Sequence, residues 1–367
     1  ESTLDDARGE AKLLMASLES EWGLTNLRIE TSELVKLQVA LASGDRGVTV
    51  AVFESTQIIG VWSGLFDALR GVAVDVGSTT VAAHLCDLAT GDVLSSASVM
   101  NPQIPFGEDL MSRVSYIMMH PEGAEAMSSA IQTALSKLFA ELTEQLGETT
   151  DNILEVSLVA NPIMHHLVLG INPINLGGAP FALTVDEAVT LKALDLDFDT
   201  HSQARLFVLP CIAGHVGADT AGVILAESPD SDEAMSLIVD VGTNAEIVLG
   251  NKERLLVCSS PTGPAFEGGE ISAGQRATAG AIERVRIDRE TLEPKFRVIG
   301  SELWSTEAGF ADSTKELNIT GICGSGIIEV VAEMFLAGIV SEDGVVDGAL
   351  AERSSRVRSR GRTWSYV

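Results

Sequence analysis

Two short segments carry residues suited to holding phosphate: Asp75-Val-Gly77-Ser78-Thr79-Thr80 and Asp240-Val-Gly242-Thr243-Asn244. Both are Asp-x-Gly turns followed by hydroxyl or amide side chains. Gly77 and Gly242 lack a Cβ, so backbone N–H groups beside them can approach phosphate oxygens closely. Ser78, Thr79, Thr80, Thr243 and Asn244 add side-chain donors. Asp75 and Asp240 are the groups expected to hold Mg²⁺ through water, because that ion keeps several waters and takes few carboxylates directly. A single turn of this kind is common, since Asp and Gly dominate turns. Two matched copies, each between apolar runs, are poorly explained as unrelated turns.

The elements that position these turns are strands. Gly71–Leu88 is an apolar run, a glycine turn and a second apolar run, the pattern of a hairpin of buried strands. Ser236–Gly250 repeats that pattern about 165 residues later. The repeat predicts a duplicated α/β fold with a central cleft: a small α/β unit over 1–70, then halves over 71–235 and 236–367. In the first unit the periodicity predicts a helix around Ala11–Trp22, a strand Leu27–Glu30, a helix Ser32–Ala42 and a hairpin of Val48–Phe53 with Ile58–Trp62. Further along it predicts a helix Glu122–Leu146, a strand Val156–Ala160, a helix beginning in Pro162–Leu169, a strand Leu206–Pro210 and a helix entry at Gly217–Leu225.

Composition narrows the partners. The 367 residues hold 24 Lys and Arg against 52 Asp and Glu, a formal charge of −28. A surface this acidic repels the phosphate backbone of nucleic acid. No run approaches the roughly 18 to 20 apolar residues of a membrane-spanning helix, so no membrane association is expected. Cys86, Cys211, Cys258 and Cys323 are scattered without a CxxC pair, which suggests neither a disulfide framework nor a zinc ribbon. Reduced thiols and a missing leader peptide predict a cytoplasmic protein, and the start at Glu1 reads as a piece of a longer one.

Several longer motifs stand in order: VDVGSTT at 74–80, NPQIPFGEDLMSRVSY at 101–116, ANPIMHHLVLGINP at 160–173, PCIAGHVGADTAGVIL at 210–225, VDVGTNAEIVLG at 239–250, SPTGPAFEGGEISAGQRATAGAIE at 260–283 and GICGSGIIEVVAEMFLAGIV at 321–340. From about residue 10 to its end the chain resembles the reductive activators of corrinoid-dependent enzymes, a branch of the actin, sugar kinase and Hsp70 superfamily. The resemblance implies actin-like, ribonuclease H-like ATPase halves. It also implies ATP with Mg²⁺, and hydrolysis coupled to reduction of Co(II) to Co(I) in the corrinoid protein, or corrinoid methyltransferase subunit, of a methyltransferase system. Such activators carry a [2Fe–2S] cluster in an amino-terminal domain, expected in the parent protein and not in this chain. They continue past the helix at Gly321–Val340 to a Gly-Gly loop for the adenosine, whereas this sequence stops at Val367. A homodimer is one assembly left open. Three other readings stay beside the activator: a small-molecule kinase, a nucleotide-sensing binding module, and a dehydratase activator, although Cys258 and Cys323 lack that last family's pattern.

The same resemblance bears on single residues. Asp219 opens a helix where sugar kinases of the superfamily carry a catalytic carboxylate, and would orient the attacking water; a helix cap is the alternative. Asn161 matches the family's strand-end Asn and is expected to face the cleft. His165 and His166 are adjacent on a helix, about 100° apart, which suits packing or capping better than a shared metal. Asn101, Gln103, Asp109, Arg113, Phe266 and Glu267 lie in polar, glycine-rich stretches suited to domain closure, recognition of the corrinoid protein or ordinary turns. Gly321, Gly324 and Ser325 would either line the nucleotide cleft with free helix amides or permit close packing. The tail Arg353, Arg356, Arg358, Arg360 and Arg362 would serve as a docking patch or as a solvated strand edge.

Overall fold

The chain divides into two compact units, Glu1–Pro229 and Asp230–Val367. The structure, a computed structural model, describes residues 8–107, 109–242, 244–262 and 271–367.

The first unit begins with α1 (Glu10–Trp22), β1 (Arg28–Ile29), α2 (Thr31–Ser43), β2 (Val48–Phe53) and β3 (Gln57–Ser63), the strands forming a sheet of order β1-β3-β2. Helix α1 stops at Gly23, whose φ of 69° suits a residue without a side chain. Leu37, Ala40 and Leu41 of α2 pack on Ile58 and Val61 of β3, the i, i+3, i+4 spacing of a one-sided helix.

There follow β4 (Arg70–Val76), β5 (Thr80–Asp87), β6 (Val93–Met100), α3 (Leu110–Met119), α4 (Gly123–Glu144), β7 (Ile153–Ala160), α5 (Pro162–Val168), β8 (Val189–Lys192), β9 (Arg205–Val208) and α6 (Ala218–Glu227). Their six strands lie in the order β6-β5-β4-β7-β9-β8, with β4, β7 and β9 parallel to one another and the remaining pairs antiparallel. Val72, Val74 and Val76 of β4, at alternate positions, point into one core with Ile131, Leu135 and Phe139 of α4. Each of those fully buried side chains contributes about 1.5–3 kcal/mol, which holds the parallel strands in register. The small first sheet is joined to this one by polar contacts. Glu33, fully buried, pairs with Lys36 at 3.0 Å and lies 3.8 Å from His201, while Arg205 donates to Gln57 at 2.6 Å.

The second unit starts with the antiparallel meander β10 (Ser236–Val241), β11 (Asn244–Asn251) and β12 (Arg254–Pro261). Next come the hairpin β13 (Ile282–Ile287) with β14 (Pro294–Val298), the short α7 (Phe310–Ser313), α8 (Gly324–Leu336), and a terminal hairpin β15 (Val357–Arg360) with β16 (Thr363–Tyr366). Helix α8 lies along β13: the Glu329 carboxylate accepts from the Val285 amide at 2.8 Å and Glu333 from that of Ile287 at 3.0 Å. Carboxylates of the helix thus satisfy amides on the strand's open edge. Two arginines of the tail are used internally, Arg353 donating to the Glu290 carbonyl at 2.6 Å and Arg356 pairing with Glu293 at 2.7 Å.

The predicted duplication is visible as two antiparallel meanders, β4-β5-β6 and β10-β11-β12, each with its Asp-x-Gly turn after the first strand. Among the described residues the first meander extends to six strands and the second stays at three. No helix among them is long and apolar enough to cross a membrane.

Candidate functional site

The first turn joins β4 to β5, whose last paired residues are Val76 and Val81. Asp75 stands one position earlier and is exposed, because its alternation partners Val74 and Val76 take the buried face. At Gly77 a Cβ would lie 2.6 Å from the Thr80 carbonyl oxygen, so the turn closes only around glycine. Ser78 and Thr79 are half-buried and Thr80 is exposed.

Beneath this turn lies a buried polar network. Asn101, the residue after β6, donates its Nδ2 to the Gly77 carbonyl at 2.7 Å and its backbone N–H to that of Thr79 at 2.8 Å. Arg113 donates Nη2 to the Ser78 carbonyl at 2.5 Å, Nε to that of Gly107 at 2.9 Å and Nη1 to Oε1 of Gln103 at 3.3 Å, and also reaches the Met164 sulfur. Gln103 bonds the Asn101 side chain at 2.8 Å and the Met127 carbonyl at 3.0 Å. Local sequence explains the placement: Asp109 caps α3 in a reciprocal box with Ser112, which puts Arg113 on the inward face of the first turn. Asn101, Gln103 and Arg113 are no more than 1% exposed. Burial removes them from direct recognition of a partner, one of the roles open to the NPQ segment, and places them under the loop.

Other candidates gather at the same sheet edge. Because β4, β7 and β9 are parallel, the Gly77 turn, Asn161 after β7 and the entry to α6 all follow their carboxyl ends, where open α/β sheets bind ligands. Asn161 is the N-cap of α5, its Oδ1 accepting from the Met164 amide at 3.0 Å. A Cβ on Gly217 would sit 2.6 Å from both the Ala160 carbonyl oxygen and the Asn161 Cα, so glycine lets α6 abut the end of β7. This brings Asp219, in the first turn of α6, to that edge; its Oδ1 accepts from the Thr220 amide at 2.7 Å.

The two histidines of α5 behave differently. His166 Nδ1 is 2.8 Å from the Pro162 carbonyl and Nε2 accepts from the Thr184 amide at 3.0 Å, which assigns the proton to Nδ1. His165 is fully buried and neither ring nitrogen has a hydrogen-bond partner. Burial, reinforced by His166, pushes its pKa down to about 4. Cys211, buried three residues past β9, has its thiol pushed up to about 12 by burial, which disfavours a thiolate at neutral pH. No group of three or more His, Cys, Asp or Glu among the described residues is arranged to hold a metal ion directly.

In the second turn Asp240 pairs directly across from Glu246 on β11, and both lie before or after a turn whose Gly242 amide donates to the Asn244 carbonyl at 2.8 Å. Among the described residues, a Cβ on Gly242 would meet only the Asn244 oxygen, at 3.6 Å, an ordinary contact. Thr262, the residue after β12, donates its hydroxyl to the Gly242 carbonyl at 2.5 Å. Asn101 does the same for Gly77 from the same place in the first meander, an equivalence that the side-chain types concealed. Thr243, Phe266 and Glu267 lie outside the described residues.

The GICGSG segment packs closely. A Cβ on Gly321 would fall 2.3 Å from the Ala273 oxygen and one on Gly326 2.4 Å from that of Ile282. The Gly321 amide is taken by Oε1 of Gln275 at 2.8 Å, so it is not available to a phosphate. Gly324 is buried as the first residue of α8, and the exposed Ser325 hydroxyl lies 3.2 Å from the Cys323 sulfur.

Comparison with known proteins gives these features a family. Models of the RACo linker region, of the RACo middle region and of the C-terminal domain of RACo, the ASKHA domain, match residues 1–68, 70–231 and 234–367 in turn. The chain belongs to the RACo family. A solved structure, described as a reductive activator for corrinoid, iron-sulfur protein, superposes with a TM-score of 0.81 at 30% identity over 100% of this chain and 56% of that one. The chain therefore has the actin-like ATPase fold in its RACo form. The corrinoid activation enzyme RamQ of Eubacterium limosum is 34% identical over 276 residues, 75% of this chain and 43% of the relative. A [Co(II) methylated amine-specific corrinoid protein] reductase of Methanosarcina barkeri is 25% identical over 295 residues, 75% of this chain and 52% of the relative. The RACo-type chain thus spans about half the length of the curated relatives it matches.

Proposed function

We propose that this chain is the ATP-dependent, partner-binding part of an activator that drives a corrinoid protein from Co(II) to Co(I). The observation that carries the reading is the built first turn: Gly77 admits no side chain, and Asn101 and Arg113 hold the turn's carbonyls from below. Support of this kind beneath a solvent-facing turn suits amides presented to phosphate oxygens. The names of the relatives, which act on corrinoid proteins, support the partner class.

ATP with Mg²⁺ would supply the free energy for an otherwise uphill electron transfer. In this chain Ser78, Thr79, Thr80, Thr243 and Asn244 would donate to phosphate oxygens, and the exposed Asp75 and Asp240 would orient the ion's water shell. Asp219 would orient the water that attacks the terminal phosphate. Reduction of Co(II) to Co(I) would consume one electron, which an iron–sulfur donor would supply. Coupling requires that ATP bind one conformation better than another, since a ligand without differential affinity shifts nothing. A cytoplasmic setting and a homodimeric assembly complete the proposal, the latter to be measured by sedimentation.

The test is anaerobic reduction of the corrinoid partner by the full-length activator with a low-potential reductant, following the Co(I) absorbance. The expected outcome is formation of Co(I) with ATP and Mg²⁺ and very little without them. Equal rates and extents in the two conditions would refute the proposal, and ADP release dependent on a small hydroxylated acceptor would favour the kinase reading.

A further inference from the structure

We infer that Arg113 is a positioning residue for the first phosphate turn, setting which side of the turn its amides face. The inference rests on the reading of that turn as a phosphate site. It follows from peptide geometry. In a planar trans peptide the C=O and N–H groups point in opposite directions. The Gly77 carbonyl is held by Asn101 and the Ser78 carbonyl by Arg113, both from the buried side. The N–H groups of Ser78 and Thr79, on the same two peptide planes, are thereby turned the other way, outward. Rotation of either plane would exchange an N–H for a carbonyl oxygen at the phosphate face, replacing attraction by repulsion. Glycine at 77 makes such a rotation easy, so something must resist it.

A guanidinium is suited to that task where an ammonium is not. Its planar fork reaches three oxygens in fixed directions, those of Ser78, Gly107 and Gln103. Full burial keeps water from competing for the Ser78 carbonyl. The register of Arg113 is itself secured by the Asp109–Ser112 box and by Gly107, where a Cβ would stand 2.7 Å from the Arg113 amide nitrogen. In the second turn Thr262 holds the Gly242 carbonyl as Asn101 holds that of Gly77.

The experiment compares Arg113→Lys and Arg113→Gln with the unmodified protein, all as the full-length activator, measuring dissociation constants for ATP·Mg²⁺ and for adenosine by calorimetry. Adenosine lacks the phosphates, so a positioning role weakens ATP by tenfold or more and leaves adenosine within twofold; Lys retains charge and is expected to lose less than Gln. Arg113→Ala with added methylguanidinium should regain part of the ATP affinity. Equal losses for the two ligands, or ATP affinity unchanged in the variants, would overturn the inference while leaving the phosphate site intact. Failure of the unmodified protein to bind ATP would instead remove the reading on which it rests. Should the Arg113 variants not fold, Gln103→Met decides: it withdraws one acceptor from the guanidinium, and the expected result is a two- to fivefold loss for ATP alone. Unchanged ATP affinity in that variant would equally overturn the inference.

Discussion

Acid should weaken the first unit through one side chain, His165. Its ring is fully buried and neither nitrogen makes a hydrogen bond; the nearby Leu209 backbone only partly offsets the cost of adding a proton there. Folding lowers the pKa from 6.5 to about 4. The unfolded chain therefore takes the proton first, and the stabilisation is full above pH 6.5 and is lost as the pH falls toward 4. Between pH 7.5 and pH 4.5 the loss amounts to about 2.5 kcal/mol, from 1.36 kcal/mol per pKa unit. His166 and His201, also lowered chiefly by burial, act in the same direction. Comparing the protein with His165→Leu at both pH values cancels their contribution. With a urea dependence of about 3 kcal/mol per M for a unit of this size, the midpoint should fall by about 0.8 M more in the unmodified protein than in the variant. Hydrogen exchange of peptides from β7 and α5 across a urea series reports the transition of this unit. The same pH-dependent shift in both proteins would refute the assignment to His165.

Two further outcomes bear on the site. Gly77→Ala puts a Cβ 2.6 Å from the Thr80 carbonyl oxygen; since backbone must move, ATP affinity should fall at least tenfold in titration calorimetry while the core β4–β7 amides keep their exchange protection. Asn161→Ala deletes the bond to the Met164 amide and should cost about 1 kcal/mol in urea denaturation, as for other N-caps. Asn161→Asp, which preserves the cap, should restore that loss, and a loss persisting in Asp would show that capping is not its role.

Much of this protein is legible in its sequence because the signals are local. Alternating apolar residues around Asp75 and Asp240 specify hairpins, since neighbouring strand residues face opposite sides. The 3.6-residue pattern of α2 and α4 specifies helices whatever they pack against. Strand β6, VLSSASVM, carries too few large apolar residues to announce itself, and the four-residue β8 is short. They exist because neighbouring strands supply partners for their backbone groups. The Asp-x-Gly turns, on which the proposed phosphate role rests, likewise stand out from residue types and spacing alone. The residues under them do not. Asn101 and Arg113 are polar residues in a turn-rich stretch, and nothing in their types tells inward from outward. Direction was decided by where β6 ends, by the Asp109 cap and by the Ser78 carbonyl that needed a donor. Thr262 and Gln275 were invisible as anchors for the same reason: their partners, Gly242 and Gly321, lie 20 and 46 residues away in the chain. Residue type and spacing determined which groups the turn carries. Only tertiary structure decided which buried donors hold it there, because a hydrogen bond depends on position in space and not on order in the chain.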